Sequence, residues 1–190
     1  VPIATLDNDF VGLKVVISGQ VIDVREHDDG HLFLKVRDDS GGVVSVPVFS
    51  RLRQGLGENV ELLDFLEVRG EVKLYRDELE VVPSESSDVR VIHTAPVGVS
   101  TISRDNVGNP VKIQGIVAER DIVGAGHLIL VLRENGSQLP VFVPGWIAGN
   151  GFPEVHVGDT VRAEGWLQLY NENLELKVTS PSCVRVAEGA

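Results

Sequence analysis

The sequence predicts an all-β protein built from two small five-stranded barrels in tandem. Its apolar residues recur with a period of two, in runs rich in Val and Ile that are separated by Gly, Asp and Asn. Aligning residues 1–38 with residues 97–134 needs no gap and gives 14 identities, where ordinary composition would give roughly two or three. A repeat of this length is a whole domain, so we expect domains at 1–94 and 95–190.

Each copy contains five predicted strands and a short closing segment. In the first copy the strands are expected at 14–25, 31–38, 43–49, 65–75 and 78–82, with closure at 89–92. In the second copy they are expected at 111–121, 127–134, 138–143, 160–170 and 173–178, with closure at 184–187. A short helix or loop fits between the third and fourth strands of each copy. Five strands with that insertion match the Greek-key barrel of the OB-fold.

Glycine and proline mark special positions within these strands. Gly19 and Gly115 lie among Val and Ile, where glycine is costly unless the strand must bend to serve both sides of a barrel. Pro47 and Pro140 are expected to occupy the same place in the third strand, because Val46-Pro47-Val48-Phe49 aligns with Leu139-Pro140-Val141-Phe142. Because proline removes a backbone donor, we interpret both as protecting an exposed strand edge against further pairing.

The motifs Gly-His-Leu-x-Leu in the second strand and Gly-x-Val/Leu-x-Leu-Tyr in the fourth occur in both copies. With Ile-x-Gly-x-Val in the first strand, they resemble bacterial and archaeal OB-fold nucleic-acid-binding modules. The resemblance covers nearly the whole chain twice and implies a binding module. It leaves the ligand open, since OB barrels bind DNA, RNA, sugars or proteins.

The net charge of −11 restricts where a nucleic acid could bind. An acidic surface repels phosphate at long range, so a nucleic-acid site must be a local patch. The best candidate patch is on the first copy. If Leu32 and Leu34 point into the barrel, their neighbours on the second strand point outward. The candidate ligand-binding residues are Phe33, Lys35, Arg37, Phe49, Arg51, Arg53 and Tyr75.

Aromatic and basic side chains suit single-stranded nucleic acid, because bases stack on rings and cations neutralise phosphates. In the alternative interpretation Phe33 packs under a loop or against the other domain, and the cations pair with Asp38, Asp39 and neighbouring Glu residues. Tyr75 has a counterpart in Tyr170, which favours a structural role at the barrel end. In the second copy Ile129 and Val131 give an aliphatic outer face that we expect to be an interface. Trp146 and Trp166 are expected to pack structurally.

No catalytic, cofactor or metal site is predicted. The chain has no phosphate-binding loop, no dinucleotide fingerprint and no nucleophile elbow. His31 and His127 each follow a glycine at a turn, and no set of converging ligands surrounds either of them. The lone Cys183 lies in a late strand, where a small, partly buried residue is more common than a reactive thiol.

Two hypotheses follow for a non-catalytic module that we expect to belong to a larger protein. In the first, the chain binds single-stranded DNA or RNA, mainly on its first copy. In the second, it joins another protein or other domains of the same full-length chain, and binds no nucleic acid. Carbohydrate binding is weaker because only 5% of residues are aromatic. No membrane contact is expected from this segment, and the sequence favours no compartment.

Overall fold

The computed structural model describes residues 1–187, and inter-residue contacts divide the chain into two units, Val1–Thr94 and Ala95–Ala190. The first unit contains β1 (Lys14–Glu26), β2 (Leu32–Arg37), β3 (Val43–Val48), the helix α1 (Ser50–Leu56), β4 (Phe65–Tyr75), β5 (Glu78–Val82) and β6 (Val89–Ile92). The second contains β7 (Val97–Gly98), β8 (Pro110–Val123), β9 (His127–Glu134), β10 (Ser137–Val143), the helix α2 (Gly145–Ala148), β11 (Thr160–Tyr170), β12 (Asn173–Lys177) and β13 (Val184–Val186).

Short 3-10 turns complete the units, at Ile3–Thr5, Asn8–Phe10 and Ser86–Asp88 in the first and at Val99–Thr101, Arg104–Asn106 and Pro181–Cys183 in the second. The predicted strands and the helical insertion are therefore present in both units. The two-residue strand β7 was not predicted, because two residues are too few to show a periodicity.

Each unit closes into an OB-fold barrel. In the first unit the strand order is β1-β2-β3-β5-β4, and β4 returns to pair with β1. All these pairings are antiparallel except the one between β3 and β5, which is parallel. The second unit repeats this arrangement with β8-β9-β10-β12-β11 and closure of β11 on β8. The predicted fold of two five-stranded Greek-key barrels is confirmed.

Gly19 lies where β1 changes its partner strand. Residues 14–20 pair with β4, whereas residues 20–26 pair with β2, so the strand must bend between the two. A Cβ atom at Gly19 would lie 2.6 Å from the carbonyl oxygen of Arg37. Gly115 occupies the matching place in β8, next to the change from β11 to β9. Both glycines therefore permit the bend that their position in the sequence predicted.

The barrel interiors are filled by the inward-facing half of each strand. Ile17, Leu34 and Leu66 are almost fully buried in the first unit, as are Ile113 and Leu130 in the second. Along β2 the burial alternates strictly between buried and exposed residues. This alternation fixes which side chains of β2 reach solvent.

Strand pairing places the third strands of the two units in a different correspondence from the one that the sequence alignment gives. Asn135 and Gly136, both with positive φ, form the two-residue turn between β9 and β10. The pairing of β2 with β3 places Pro47 opposite Phe33, whereas β9 and β10 place Phe142 opposite Ile129. Because Phe33 corresponds to Ile129, the structural counterpart of Pro47 is Phe142. The alignment of Pro47 with Pro140 was therefore wrong.

The edge interpretation of the prolines was also wrong. β3 pairs with β2 on one side and with β5 on the other, and β10 pairs in the same way with β9 and β12. Neither strand is an edge. Pro47 is buried, and the parallel pairing that is described between β3 and β5 joins only Ser45 and Glu80. Pro47 therefore lies outside the part of β3 whose pairing with β5 is described.

A buried carboxylate organises the loop that leads into β4. Asp64 is fully buried, and its carboxylate accepts hydrogen bonds from the backbone N–H of Glu61 at 2.8 Å and of Thr94 at 3.2 Å. The same carboxylate lies 2.8 Å from Nδ1 of His93, whose Nε2 lies 2.9 Å from the carboxylate of Glu58. Asp64 thus ties the loop to the end of the first unit.

His93 makes the stability of the first unit depend on pH. Burial opposes the charged ring, but Asp64, Glu58 and Glu61 outweigh this effect and raise the pKa of His93 above its ordinary value. The stabilisation is therefore complete below the ordinary pKa of histidine and is lost as the pH rises through the raised value. Because the side chain is 42% exposed, we expect a contribution below about 1 kcal/mol.

The measurement compares urea unfolding of the wild type and His93→Gln at about pH 5.5 and about pH 9, with hydrogen exchange assigning the change to residues 1–94. The variant should be less stable at the lower pH and equal to the wild type at the higher one. An equal deficit at both pH values would mean that the ring acts only by packing.

Candidate nucleic-acid interface

The exposed side of β2 carries the aromatic and basic side chains predicted from the sequence. Phe33, Lys35 and Arg37 are exposed, whereas the intervening Leu34 and Val36 are buried. Pairing with β1 and β3 places Phe33 between Arg25 and Pro47. The three side chains therefore lie on one outer face, which is formed by β1, β2 and β3.

Lys35 and Arg37 form no ion pair among residues 1–187. Asp23 of β1 lies opposite Lys35 in the strand pairing, but it binds Arg25 at 3.0 Å. Asp38, which follows Arg37 directly, instead accepts the backbone N–H of Ile3 at 2.7 Å and that of Ser40 at 3.0 Å. These hydrogen bonds lower the pKa of Asp38. The proposed pairing of the cations with Asp38 is therefore absent, and both charges are available to a ligand.

Two phenyl rings and an imidazole meet at the end of this face. The ring of His31 lies 5.2 Å from that of Phe49 and 6.4 Å from that of Phe33, edge to face in both cases. Phe33 is 39% exposed and Phe49 is 44% exposed. Partly exposed rings beside unpaired cations are the combination that stacks bases and neutralises phosphates.

His31 connects this aromatic cluster to α1. Its Nδ1 accepts a hydrogen bond from the backbone N–H of Ser50, the first residue of the helix, at 2.9 Å. In the second unit His127 accepts from the backbone N–H of Gly145, the first residue of α2, also at 2.9 Å. The sequence placed both histidines at turns but did not reveal this shared role, because the bonded residues are 18 or 19 positions apart.

The other predicted ligand-binding residues differ in how free they are. Arg51 is exposed at the start of α1 and has no ion pair among the described residues. Arg53 binds the carboxylate of Glu26 at 3.3 Å and the carbonyl oxygen of Gly30 at 3.3 Å, so it holds the turn between β1 and β2. Tyr75 is 56% exposed at the end of β4, with the guanidinium of Arg76 over its ring.

Glu80 is a further acidic side chain on the same outer face, besides Asp23 of β1. In the strand pairing, Glu80 of β5 lies opposite Ser45 of β3 and Lys73 of β4. Burial, followed by the charge of Glu78, raises the pKa of Glu80. When it is ionised, Glu80 opposes phosphate binding across this part of the sheet, which directs an anionic ligand towards β2.

The second unit presents a different outer face. Ile129 and Val131 are half-buried, and they lie opposite Phe142 and Pro140 of β10. Ile129 and Val131 take the places of Phe33 and Lys35. The surface is therefore aliphatic and aromatic, with no cation at the position of Lys35. Trp166 is half-buried, but Trp146 is 64% exposed at the start of α2, so the expectation that Trp146 packs structurally was wrong.

The remaining reactive groups have structural surroundings. Cys183 is buried, and burial, followed by the charge of Glu164, raises the pKa of its thiol to about 12, as expected for an unreactive residue. Ligand atoms of Glu61, Asp64 and His93 lie within 4.8 Å of one another and could hold a metal ion. The hydrogen bonds of Asp64 and His93 account for this grouping. None of the helices in residues 1–187 has the length and apolar character of a membrane span.

The comparison of sequences gives one family. Residues 15–89, which lie within the first unit, match the family described as OB-fold nucleic acid binding domain. The resemblance to OB-fold nucleic-acid-binding modules that the sequence motifs indicated is thereby confirmed. No curated protein matches the chain significantly in sequence.

Solved structures share the fold at low sequence identity. The tetrameric p202 HIN2 structure is 13% identical with a TM-score of 0.50, covering 92% of this chain and 91% of its own. The OBody AM1L10 bound to hen egg-white lysozyme is 24% identical with a TM-score of 0.42, covering 50% and 92%. Asparaginyl-tRNA synthetase from Pyrococcus horikoshii is 20% identical with a TM-score of 0.44, covering 55% and 27%. The HIN2 match extends the fold similarity over both units.

Proposed function

We propose, for a chain whose first unit matches OB-fold nucleic acid binding domains, that this unit binds single-stranded DNA or RNA as a non-catalytic module. The observation that carries the proposal is the outer face of β2. It presents an exposed ring, Phe33, beside two cations, Lys35 and Arg37, that form no ion pair among residues 1–187. In a chain of net charge −11, such a local patch is what phosphate binding requires.

Each group on this face has a defined role in the proposed complex. Bases stack on Phe33 and Phe49, which both form edge-to-face contacts with His31. Lys35 and Arg37 contact phosphates along β2, and Arg51 and Tyr75 extend the surface in two directions. Single strands suit this face better than a duplex, because stacking on a protein ring requires a base that is free of its partner.

The test is fluorescence anisotropy with a labelled oligonucleotide of about 12 nucleotides, a length within the site sizes of OB-folds. Phe33→Ala should weaken binding about tenfold, since one stacking contact contributes on the order of 1.4 kcal/mol. The double variant Lys35→Ala/Arg37→Ala should lower the slope of log K against log salt by about 1.4.

The matched control is Arg133→Ala, because Arg133 occupies the position of Arg37 in the other unit and is also exposed. It should leave the affinity unchanged. A duplex of the same sequence should compete less well than the single strand. If the wild-type chain binds neither DNA nor RNA single strands at low salt, the proposal is wrong.

A second candidate function rests on the apolar outer face of the second unit. Ile129 and Val131, with Phe142 and Pro140 beside them, give a half-buried surface that suits a protein partner better than bases. In this alternative the chain joins other proteins or domains. Ile129→Asp/Val131→Asp would then abolish complex formation in the full-length protein, while oligonucleotide binding would be absent from the wild type.

A further inference from the structure

The first unit contains a cleft that the sequence did not predict. It lies where the start of β1, the middle of β4 and the segment after β5 come together, and its volume is about 550 Å³. Phe49 lines this cleft and also an adjoining one of about 580 Å³ beside α1. Phe49 is therefore common to both clefts and to the aromatic cluster at the end of β2.

Cations from distant parts of the sequence line the two clefts. Lys14, Arg69 and Lys73 line the first cleft and Arg51 lines the second. Lys14, Lys73 and Arg51 have no ion pair among residues 1–187. The charge of Arg69 lowers the pKa of Asp88. Pairing of β1 with β4 brings these side chains together, since Lys14 lies opposite Glu71 and next to the pair formed by Val16 and Arg69.

Three acidic residues, Glu71, Glu85 and Asp88, also line the first cleft, and two of them are held by backbone and hydroxyl groups. Asp88 accepts hydrogen bonds from the backbone N–H of Ser84 at 3.2 Å and of Glu85 at 3.1 Å, and from the hydroxyl of Ser84 at 3.0 Å. Although burial acts in the opposite direction, these bonds and the charge of Arg69 lower the pKa of Asp88. Asp88 therefore stabilises the turn after β5. Glu71 lies opposite Lys14 in the strand pairing, but neither Lys14 nor Lys73 forms an ion pair among residues 1–187, so both can attract an anion.

The second unit lacks this set of cations. Strand pairing places Pro110 at the position of Lys14 and Glu164 at that of Arg69. By the same comparison Gln168 replaces Lys73, and Trp146 replaces Arg51 as the second residue of the helix. The same barrel thus forms without them, so the four cations are not required by the fold.

We propose that this cleft is a second phosphate-binding site, which receives the backbone of a single strand that continues past Phe49 from the outer face of β2. The inference rests on the proposed function and extends it. Lys14 and Lys73 contact phosphates in the first cleft, and Arg51 contacts one in the second. The bound strand thus turns around the start of α1 instead of ending at the edge of the sheet.

The test compares two labelled oligothymidines, of about 5 and about 14 nucleotides, at the two ends of the range that OB-folds cover. The variant Lys14→Ala/Lys73→Ala should weaken the longer one about tenfold, lower its salt slope by about 1.4, and leave the shorter one unchanged. Phe33→Ala should weaken both. The charge-matched control is Arg120→Ala/Lys177→Ala, two exposed cations of the second unit, and it should affect neither.

The outcomes separate the two proposals. If the wild type binds both oligonucleotides and Lys14→Ala/Lys73→Ala changes neither affinity, or changes both equally, the cleft is not a phosphate site and the proposed function stands. If the wild type binds neither oligonucleotide at low salt, the proposed function and this inference both fail. Circular dichroism verifies that each variant, whose replaced side chains are exposed, keeps the barrel.

Discussion

Gly165→Ala should destabilise the second unit by about 3 kcal/mol or more, because added atoms in a close-packed site force the backbone to shift. A Cβ atom at this position would lie 2.2 Å from the carbonyl oxygen of Lys177, which belongs to the neighbouring strand β12. Backbone cannot move aside as a flexible side chain can. The strand pairing of β11 with β12 would therefore have to open.

The measurement uses the distribution of tryptophan in this chain. Both tryptophans, Trp146 and Trp166, lie in the second unit, so their fluorescence in urea follows the unfolding of that unit. The control is Gly149→Ala, since Gly149 is exposed with φ −87° and ψ −6°, a conformation open to alanine. A loss of stability for Gly165→Ala no greater than for the control would contradict the close approach.

Asp64→Ala should cost the first unit about 2 to 4 kcal/mol. It takes the acceptor from the buried backbone N–H of Glu61 and the partly buried one of Thr94, and it removes the buried partner of His93. The matched comparison is Asp159→Ala in the second unit. Asp159 accepts the backbone N–H of His156 at 2.8 Å, as Asp64 accepts that of Glu61, but its side chain is 30% exposed. Water can replace the lost acceptor there, so we expect about 1 kcal/mol.

Hydrogen exchange detected by mass spectrometry assigns each change to its unit. Amides of residues 1–94 should exchange faster in Asp64→Ala, and amides of residues 95–187 slightly faster in Asp159→Ala. Equal effects in the two units would mean that burial of Asp64 adds nothing to the turn that both aspartates form.

The barrel could be predicted from the sequence because each of its strands has a recognisable pattern within a few consecutive residues. Period-two alternation identified β2, and Gly19 marked the bend of β1, since both signals lie within a few consecutive residues. The alignment of Pro47 with Pro140 was wrong, and the cause is related. Turn length changes register without changing the local pattern, so only strand pairing reveals that Pro47 corresponds to Phe142.

The candidate site was predictable only where its residues share one strand. Phe33, Lys35 and Arg37 follow one another on β2, so alternation alone places them on one face. Lys14 and Lys73 are 59 positions apart in the sequence, and the cleft between them exists only because β4 returns to β1. The exposure of Trp146 likewise depends on how α2 is seated at the end of its barrel, which no local pattern encodes.

The hydrogen bond from Ser50 to His31 also determines the tautomer of the imidazole. A ring nitrogen that accepts a hydrogen bond carries no proton, so the neutral ring holds its proton on Nε2, which lies 3.3 Å from the carboxylate of Asp29. With both nitrogens engaged, the ring cannot rotate freely, and Phe33 and Phe49 pack against a fixed neighbour. The aromatic surface is thus preorganised, and a base that stacks on it restricts less side-chain motion than it would on mobile rings.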